Sequence, residues 1–109
     1  MTRYLISFND GDMRFPMEEL PAVAEASHAV VRQAREAGVW IFGGGLNSHD
    51  VSIVGTDGSI RDTQIPRHLG GFSVIEVESR AEALEWAAKI AASCRCAQEV
   101  REIMDDDEV

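Results

Sequence analysis

The chain has 109 residues, with 10 lysines and arginines against 19 aspartates and glutamates, and therefore a formal net charge of −9. This length favours a single domain, and the acidic balance argues against nucleic acids or an anionic membrane surface as partners, because both need basic patches. No apolar run approaches the roughly 18–20 residues of a membrane span, and the mixed N-terminal segment MTRYLISF is not typical of a signal peptide. We therefore expect a cytoplasmic protein.

The first half of the chain predicts a strand, a helix and a second strand. Residues 3–8, RYLISF, are β-branched and aromatic, as strands are. From Glu18 to Ala37 apolar residues recur at helical spacing, and Gly38 is expected to end the helix as a left-handed cap. Residues 39–42, VWIF, predict a second strand closed by the glycines 43–45, which indicate a bulge or a close approach of two backbones.

The second half predicts a hairpin, a strand, a helix and a last strand. Residues 51–55 and 59–65 flank the turn sequence TDG and are expected to pair with each other. Residues 71–77, GFSVIEV, carry the clearest strand pattern in the chain. A helix is predicted over 79–93, and the weak alternation over 97–103 predicts the last strand.

The sequence predicts where the second helix starts, because it contains an N-terminal capping pattern. Ser79 is expected to cap the N-terminus, and Glu82 is placed to complete a capping box. We predict that the helix buries a narrow face of small side chains, formed by Ala81, Leu84, Ala87, Ala88 and Ala91.

The order of these elements is that of an α+β, ferredoxin-like fold: two split βαβ halves with an inserted hairpin. We assign residues 1–104 to this one domain. Residues 105–109 form an acidic tail that we expect to be frayed, because like charges repel one another.

The strand 71–77 also predicts a partner. Phe72 and Val74 point to one side of it, and Ile75 and Val77 point to the other. In a sheet with one solvent-exposed face, apolar and polar residues alternate along each strand. The apolar residues on both sides of this strand therefore indicate that both faces of the sheet are covered. Helices cover only one face of a ferredoxin-like sheet, and we therefore expect a homodimer in which a second copy covers the other.

Several stretches resemble the YCII-related proteins, including their DGPF-motif branch. The most specific is LGGFSVIEVESRAEALEWAAKI, residues 69–90, in which a glycine pair and an aromatic residue open a strand and an EALEWA-type helix follows. AREAGVWIFGGGL at 34–46, the opening RYLISF and the terminal VREI are similar to other parts of the family. The resemblance implies a ferredoxin-like fold and a dimeric α/β barrel.

The resemblance implies less about chemistry. Some YCII relatives are proposed to use a histidine on the first helix with an aspartate after the second, and a few related proteins dechlorinate or isomerise small ring compounds. The family's histidine position, eleven residues before Gly38, is Ser27 here, and His28 lies one residue further, about 100° around the helix. The second helix is followed by SCRC at 93–96 without an aspartate, and the DGPF motif is absent, with Asp62 in its region.

Three residues are candidates for acid–base chemistry: His28, His68 and Asp10. Histidine suits such chemistry because its side chain titrates near neutral pH. The alternatives stay open, with His28 as a residue on the flank of the helix and His68 as a solvent-facing loop residue before the pair Gly70-Gly71.

Three further residues are candidates for ligand binding: Arg67, Asn9 and Trp40. Arg67 could hold a carboxylate beside His68. Asn9 ends the first strand, where turns use the same residue type, and Trp40 is equally suited to core packing.

We expect no cofactor and no metal site. The glycines 43–45 are not followed by a helix, as a phosphate loop requires. His49-Asp50 is read as a structural loop pair. Cys94 and Cys96 would lie about 6.5–7 Å apart in an extended segment, a distance at or beyond the limit for a disulfide bond. Two thiols alone also make a poor zinc site, because zinc is bound by four ligands. We read both as ordinary buried or half-buried thiols, with a redox or metal-binding role as the alternative.

Two functions from different classes remain. The first is a small enzyme that uses cofactor-free acid–base chemistry on a small organic, for instance cyclic, substrate in a cleft between the sheet, the first helix and the loop 9–17. The alternative is a non-catalytic dimerisation or small-ligand-binding module. An enzyme of this kind needs a histidine within hydrogen-bond reach of a carboxylate inside a cleft.

Overall fold

The computed structural model describes residues 1–47, 51–63 and 69–109. Over these ranges the chain forms six strands and two α-helices, and a short 3₁₀ turn, Met17–Glu19, precedes the first helix. The elements are β1 (Thr2–Asn9), α1 (Leu20–Glu36), β2 (Trp40–Gly45), β3 (Val51–Val54), β4 (Ile60–Thr63), β5 (Leu69–Val77), α2 (Arg80–Cys94) and β6 (Glu99–Glu102). Neither described helix has the length and apolar character that crossing a bilayer requires.

Four of the strands form one antiparallel sheet in the order β2-β5-β1-β6. The other two, β3 and β4, pair with each other as a separate hairpin between β2 and β5. This order is that of a ferredoxin-like sheet with an inserted hairpin, so the predicted α+β fold class is confirmed.

The core lies between the helices and one face of the sheet. Tyr4 and Ile6 of β1 are buried on this face, and Tyr4 is directly opposite Ile75 of β5. Ile6 and Ile75 have no exposed surface, and burial of each side chain contributes about 1.5–3 kcal/mol. The buried cluster consists of Tyr4, Ile6, Ile75, Val77, Ala83 and Ala87.

The first helix ends as predicted. Gly38 follows it with a φ of 77°, in the left-handed region, and its amide donates to the Arg35 carbonyl at 3.0 Å. Its start is later than the expected Glu18, because the 3₁₀ turn precedes it and α1 begins at Leu20. Pro21 lies in the first turn, where its missing N–H leaves no intrahelical hydrogen bond unmade.

The second helix begins as predicted but buries a different face. Ser79 caps it, with its hydroxyl accepting the Glu82 amide at 3.2 Å. The buried residues are Ala83, Ala87 and Cys94, whereas Leu84 of the predicted face is 46% exposed. Small and apolar residues occur almost all around this helix, so their spacing does not decide which face meets the sheet.

The glycines 43–45 are part of β2 and do not close it, contrary to the expectation from the sequence. They pair with residues of β5, and the ladder shifts register between Trp40 and Phe42. The expected close approach occurs at Gly43, where an added Cβ would lie 2.6 Å from the Phe72 carbonyl oxygen and 2.9 Å from the Trp40 ring. Glycine is therefore required at this point by the neighbouring strand.

The pair Gly70-Gly71 also lies inside a strand and not in a turn. β5 begins at Leu69, two residues earlier than predicted, and neither glycine has a positive φ. A Cβ on either glycine would lie 2.7 Å from the ring of Phe8. The pair leaves room for this ring to lie against the backbone of β5.

Replacing Gly43 with alanine is expected to destabilise the protein by about 1–3 kcal/mol, the usual effect of overpacking, because the new methyl group meets backbone atoms of β5. Gly44→Ala is the matched control, since a Cβ there meets nothing within 4 Å. Urea unfolding of both variants measures the difference. Equal midpoints would contradict the account of β2.

Candidate functional site

A cleft of about 640 Å³ opens between α1, β2 and the last turns of α2. Its walls are mostly apolar, and the aromatic residues that line it are Phe8 of β1, Trp40 of β2 and Phe72 of β5. Met13, from the loop between β1 and α1, also borders the cleft. Pockets of this size and character are typical small-molecule sites.

The polar groups of the cleft wall are mostly neutral. The hydroxyl of Ser27 lies 3.5 Å from the sulfur of Cys94, across the contact between α1 and α2. Ser93 donates to the Ile90 carbonyl at 2.9 Å and lies 3.9 Å from the same sulfur. A hydroxyl–thiol contact is therefore found at Ser27, eleven residues before Gly38.

The basic side chains among the described residues of the cleft all come from α1. His28, Arg32 and Arg35 line it and follow one another at helical spacing, so they share one edge of the helix. Arg32 forms an ion pair with Glu25, in which its guanidinium Nη2 lies 2.6 Å from the carboxylate Oε1. Among the described residues that line the cleft there is no aspartate or glutamate.

The structure brings two of the six predicted site residues together. His28 and Trp40 both line the cleft, His28 from an exposed position on α1 and Trp40 from a half-buried one on β2. Asn9 does not line it and donates its side-chain amide to Glu99 of β6 at 3.0 Å. Asp10 is exposed just beyond the end of β1 and does not line the cleft.

The other two predicted site residues, Arg67 and His68, lie outside the described residues, as does the pair His49-Asp50. The roles assigned to His28, His68 and Asp10 in catalysis, and to Arg67, Asn9 and Trp40 in binding, therefore stay predictions.

Sequence reasoning missed the two arginines of the cleft. Arg32 and Arg35 were not predicted as site residues, because charged residues on a helix ordinarily face solvent. Their spacing from His28, at four and seven residues, is a sequence signal that could have found them, because it places the two arginines on the helix edge of this histidine.

Cys94 and Cys96 do not lie in an extended segment. The separation of about 6.5–7 Å that was predicted for an extended chain therefore does not apply to them. Cys94 ends α2, Arg95 adopts a left-handed conformation with a φ of 55°, and Cys96 follows. Both thiols are buried and free. Burial raises the pKa of Cys96, and the nearby Asp12 carboxylate and Cys94 thiol raise it further. Within the described ranges, no group of three histidine, cysteine, aspartate or glutamate side chains is arranged to hold a metal ion.

The raised pKa of Cys96 predicts a loss of stability at alkaline pH. Above the ordinary thiol pKa of about 8.5 the unfolded chain releases this proton while the folded chain keeps it, so the free energy of unfolding falls as pH rises. One proton limits the slope to about 1.4 kcal/mol per pH unit. Urea unfolding between pH 7 and 9.5 measures it, and Cys96→Ser, which removes the thiol, is expected to flatten the dependence. An unchanged slope in this variant would contradict the assignment.

Comparison with known proteins agrees with this architecture. The family model of the YCII-related domain matches residues 2–107, nearly the whole chain. No curated protein matches the chain. Because the match covers both helices and all six strands, the chain belongs to the YCII-related domain family.

Proposed function

We propose that this YCII-related protein binds a small organic molecule in the cleft between α1, β2 and α2, and that it works as a homodimer. The observation that carries the proposal is the cleft itself, whose volume of about 640 Å³ falls within the roughly 300–1,000 Å³ of small-molecule pockets. Its largely apolar wall, with a few polar groups at defined points, is the usual composition of such sites.

A ring-shaped ligand fits the wall best. Trp40 and Phe8 present aromatic surface, and Val31 and Ile90 add aliphatic surface from the two helices. Flat apolar rings gain most from such contacts, because aromatic side chains offer large rigid surfaces for stacking.

Binding without catalysis is favoured by the surroundings of His28. Among the described residues His28 has no hydrogen-bond or ion-pair partner, and no carboxylate lines the cleft near it. A histidine that acts as a general base is usually oriented by a carboxylate or a comparable acceptor. The second candidate function is cofactor-free acid–base catalysis by His28, and its support is the position of this side chain at the cleft.

The homodimer is supported by the face of the sheet that the helices leave open. Alternation along β5 places Phe72 and Val74 on that face, and Phe42 of β2 lies opposite Val74. Phe42 is 63% exposed and its ring lies 5.7 Å from that of Phe72, centre to centre. An exposed aromatic cluster on a sheet that has helices on one side only is the kind of surface that a second copy covers.

Single-ring compounds are expected to stabilise the protein against heat. A ligand at one hundred times its Kd adds about 2.7 kcal/mol to the free energy of unfolding, which raises the melting temperature. Differential scanning fluorimetry with phenol, catechol, benzamide and benzoate measures the shift. Gly45→Leu is the blocking variant, because Gly45 borders the cleft and a Cβ there meets nothing within 4 Å. We expect it to fold normally and to lose the shift.

The variant His28→Gln separates binding from catalysis. Under the binding proposal it keeps its ligand-induced shift within about twofold, and the wild-type protein returns the compound unchanged when the mixture is analysed by mass spectrometry. Turnover by the wild type that falls by about 10²-fold or more in His28→Gln would instead establish the catalytic alternative. Failure of every compound to shift the melting temperature of the wild type would contradict the proposed function.

Light scattering on a size-exclusion column is expected to give twice the chain mass of 12.0 kDa at micromolar concentration. Phe42→Asp places a charge on the open sheet face and is expected to yield the monomer, because a buried unpaired charge opposes association. Leu84→Asp is the control, since Leu84 is a comparably apolar exposed residue on α2. A wild-type monomer, or a Phe42→Asp dimer, would contradict the proposed interface.

A further inference from the structure

We infer that the ligand of this cleft is an organic anion, a carboxylate on a ring-sized apolar body, and that Arg35 binds its charged group. This inference rests on the proposed function, because it specifies the class of molecule that the same cleft takes. It concerns the charge of the ligand, which the size and apolar walls of the cleft do not determine.

The first support is the distribution of charge. Aspartates and glutamates outnumber lysines and arginines by 19 to 10 over the whole chain. At the cleft this balance is reversed, because Arg32 and Arg35 line it and no described aspartate or glutamate does. A cationic cleft in an anionic protein concentrates the field on one site and attracts anions there.

The second support is the difference between the two arginines. Arg32 is already paired with Glu25, its guanidinium Nη2 lying 2.6 Å from the carboxylate. Arg35 makes no ion pair and donates no side-chain hydrogen bond within the described residues. A guanidinium group presents a planar fork of donors that matches a carboxylate in a bidentate geometry, so Arg35 is the free anion-binding group of the cleft.

The third support is the position of Arg35 relative to the apolar walls. It lies seven residues beyond His28 on α1, about 10 Å along the helix axis, and one turn beyond Val31, which contributes to the apolar wall. A ligand with its ring against Trp40 and its carboxylate towards Arg35 would contact both the apolar wall and the basic edge of the cleft. Arg35 also stands in the last turn of α1, where a cation stabilises the helix, so a structural role has to be separated from a binding role.

Benzoate and benzamide separate these possibilities, because the two molecules share one shape and differ in charge. We expect isothermal titration of the full-length protein at low salt to give a Kd for benzoate at least about tenfold lower than for benzamide, the effect of a charge-assisted pair of hydrogen bonds. Arg35→Gln is expected to remove this preference, and Arg35→Lys to restore part of it. Arg61→Gln, on the hairpin strand β4, is the control that lowers the net charge equally and leaves the preference unchanged.

The outcomes distinguish the inference from the proposed function. Equal or tighter binding of benzamide, or an unchanged preference in Arg35→Gln, would overturn the inference and leave the cleft as a site for neutral ring compounds. Failure of both probes and of the neutral ring compounds to bind would overturn the inference and the proposed function together. The unfolding midpoint of Arg35→Gln, measured alongside, shows whether its effect is on the fold, and a folded Arg35→Gln protein with lost benzoate preference supports the inference.

Discussion

Strands β1 and β5 pair antiparallel along the middle of the sheet, from Thr2 opposite Val77 to Asn9 opposite Leu69, and the other layers of the molecule are built on this pair. β2 is hydrogen-bonded to β5 and β6 to β1, while the buried side chains of both central strands meet the small residues of α2. The pairing therefore determines which side chains face the helices and which face away. Ile6 and Ile75, one from each of these strands, are completely buried.

The same pairing creates the cleft. At its far end the ring of Phe8 lies against Gly70 and Gly71, where no side chain of β5 competes for the space. On β2 the glycines 43–45 also border the cleft, opposite the side chains that α1 contributes. The helix edge that carries His28 and Arg35 faces the cleft. Because these glycines carry no side chain, this part of β2 leaves space for the cleft.

Local features of the fold were predictable from the sequence. The strand at 71–77, the cap at Ser79 and the left-handed Gly38 each depend on residues that are neighbours in the chain, and the structure has all three. The buried face of α2 was predicted wrongly because it depends on which of two apolar faces meets the sheet. The close packing at Gly70 and Gly71 has no local signature in the sequence, since the ring that lies against them comes from β1.

The candidate site was less predictable for the same physical reason. His28 and Trp40 were recognised by residue type, but the contact of Ser27 with Cys94 joins positions 67 residues apart and has no local signature. Arg35 belongs to the cleft only because α1 lies across the glycines of β2. The spacing of Arg32 and Arg35 in the sequence places them on one edge of α1. Only the tertiary packing decides that this edge faces the cleft.

The central claim is that the cleft of this YCII-related protein is a binding site for small organic molecules, and a chemical-shift map tests it most directly. In an NMR titration with benzoate, we expect the largest shifts at the Trp40 indole N–H and the Ile90 methyl groups, which line the cleft. The Trp86 indole N–H and the Leu84 methyl groups, outside it, serve as internal references. Shifts confined to the open sheet face or to the β3–β4 hairpin would contradict the claim.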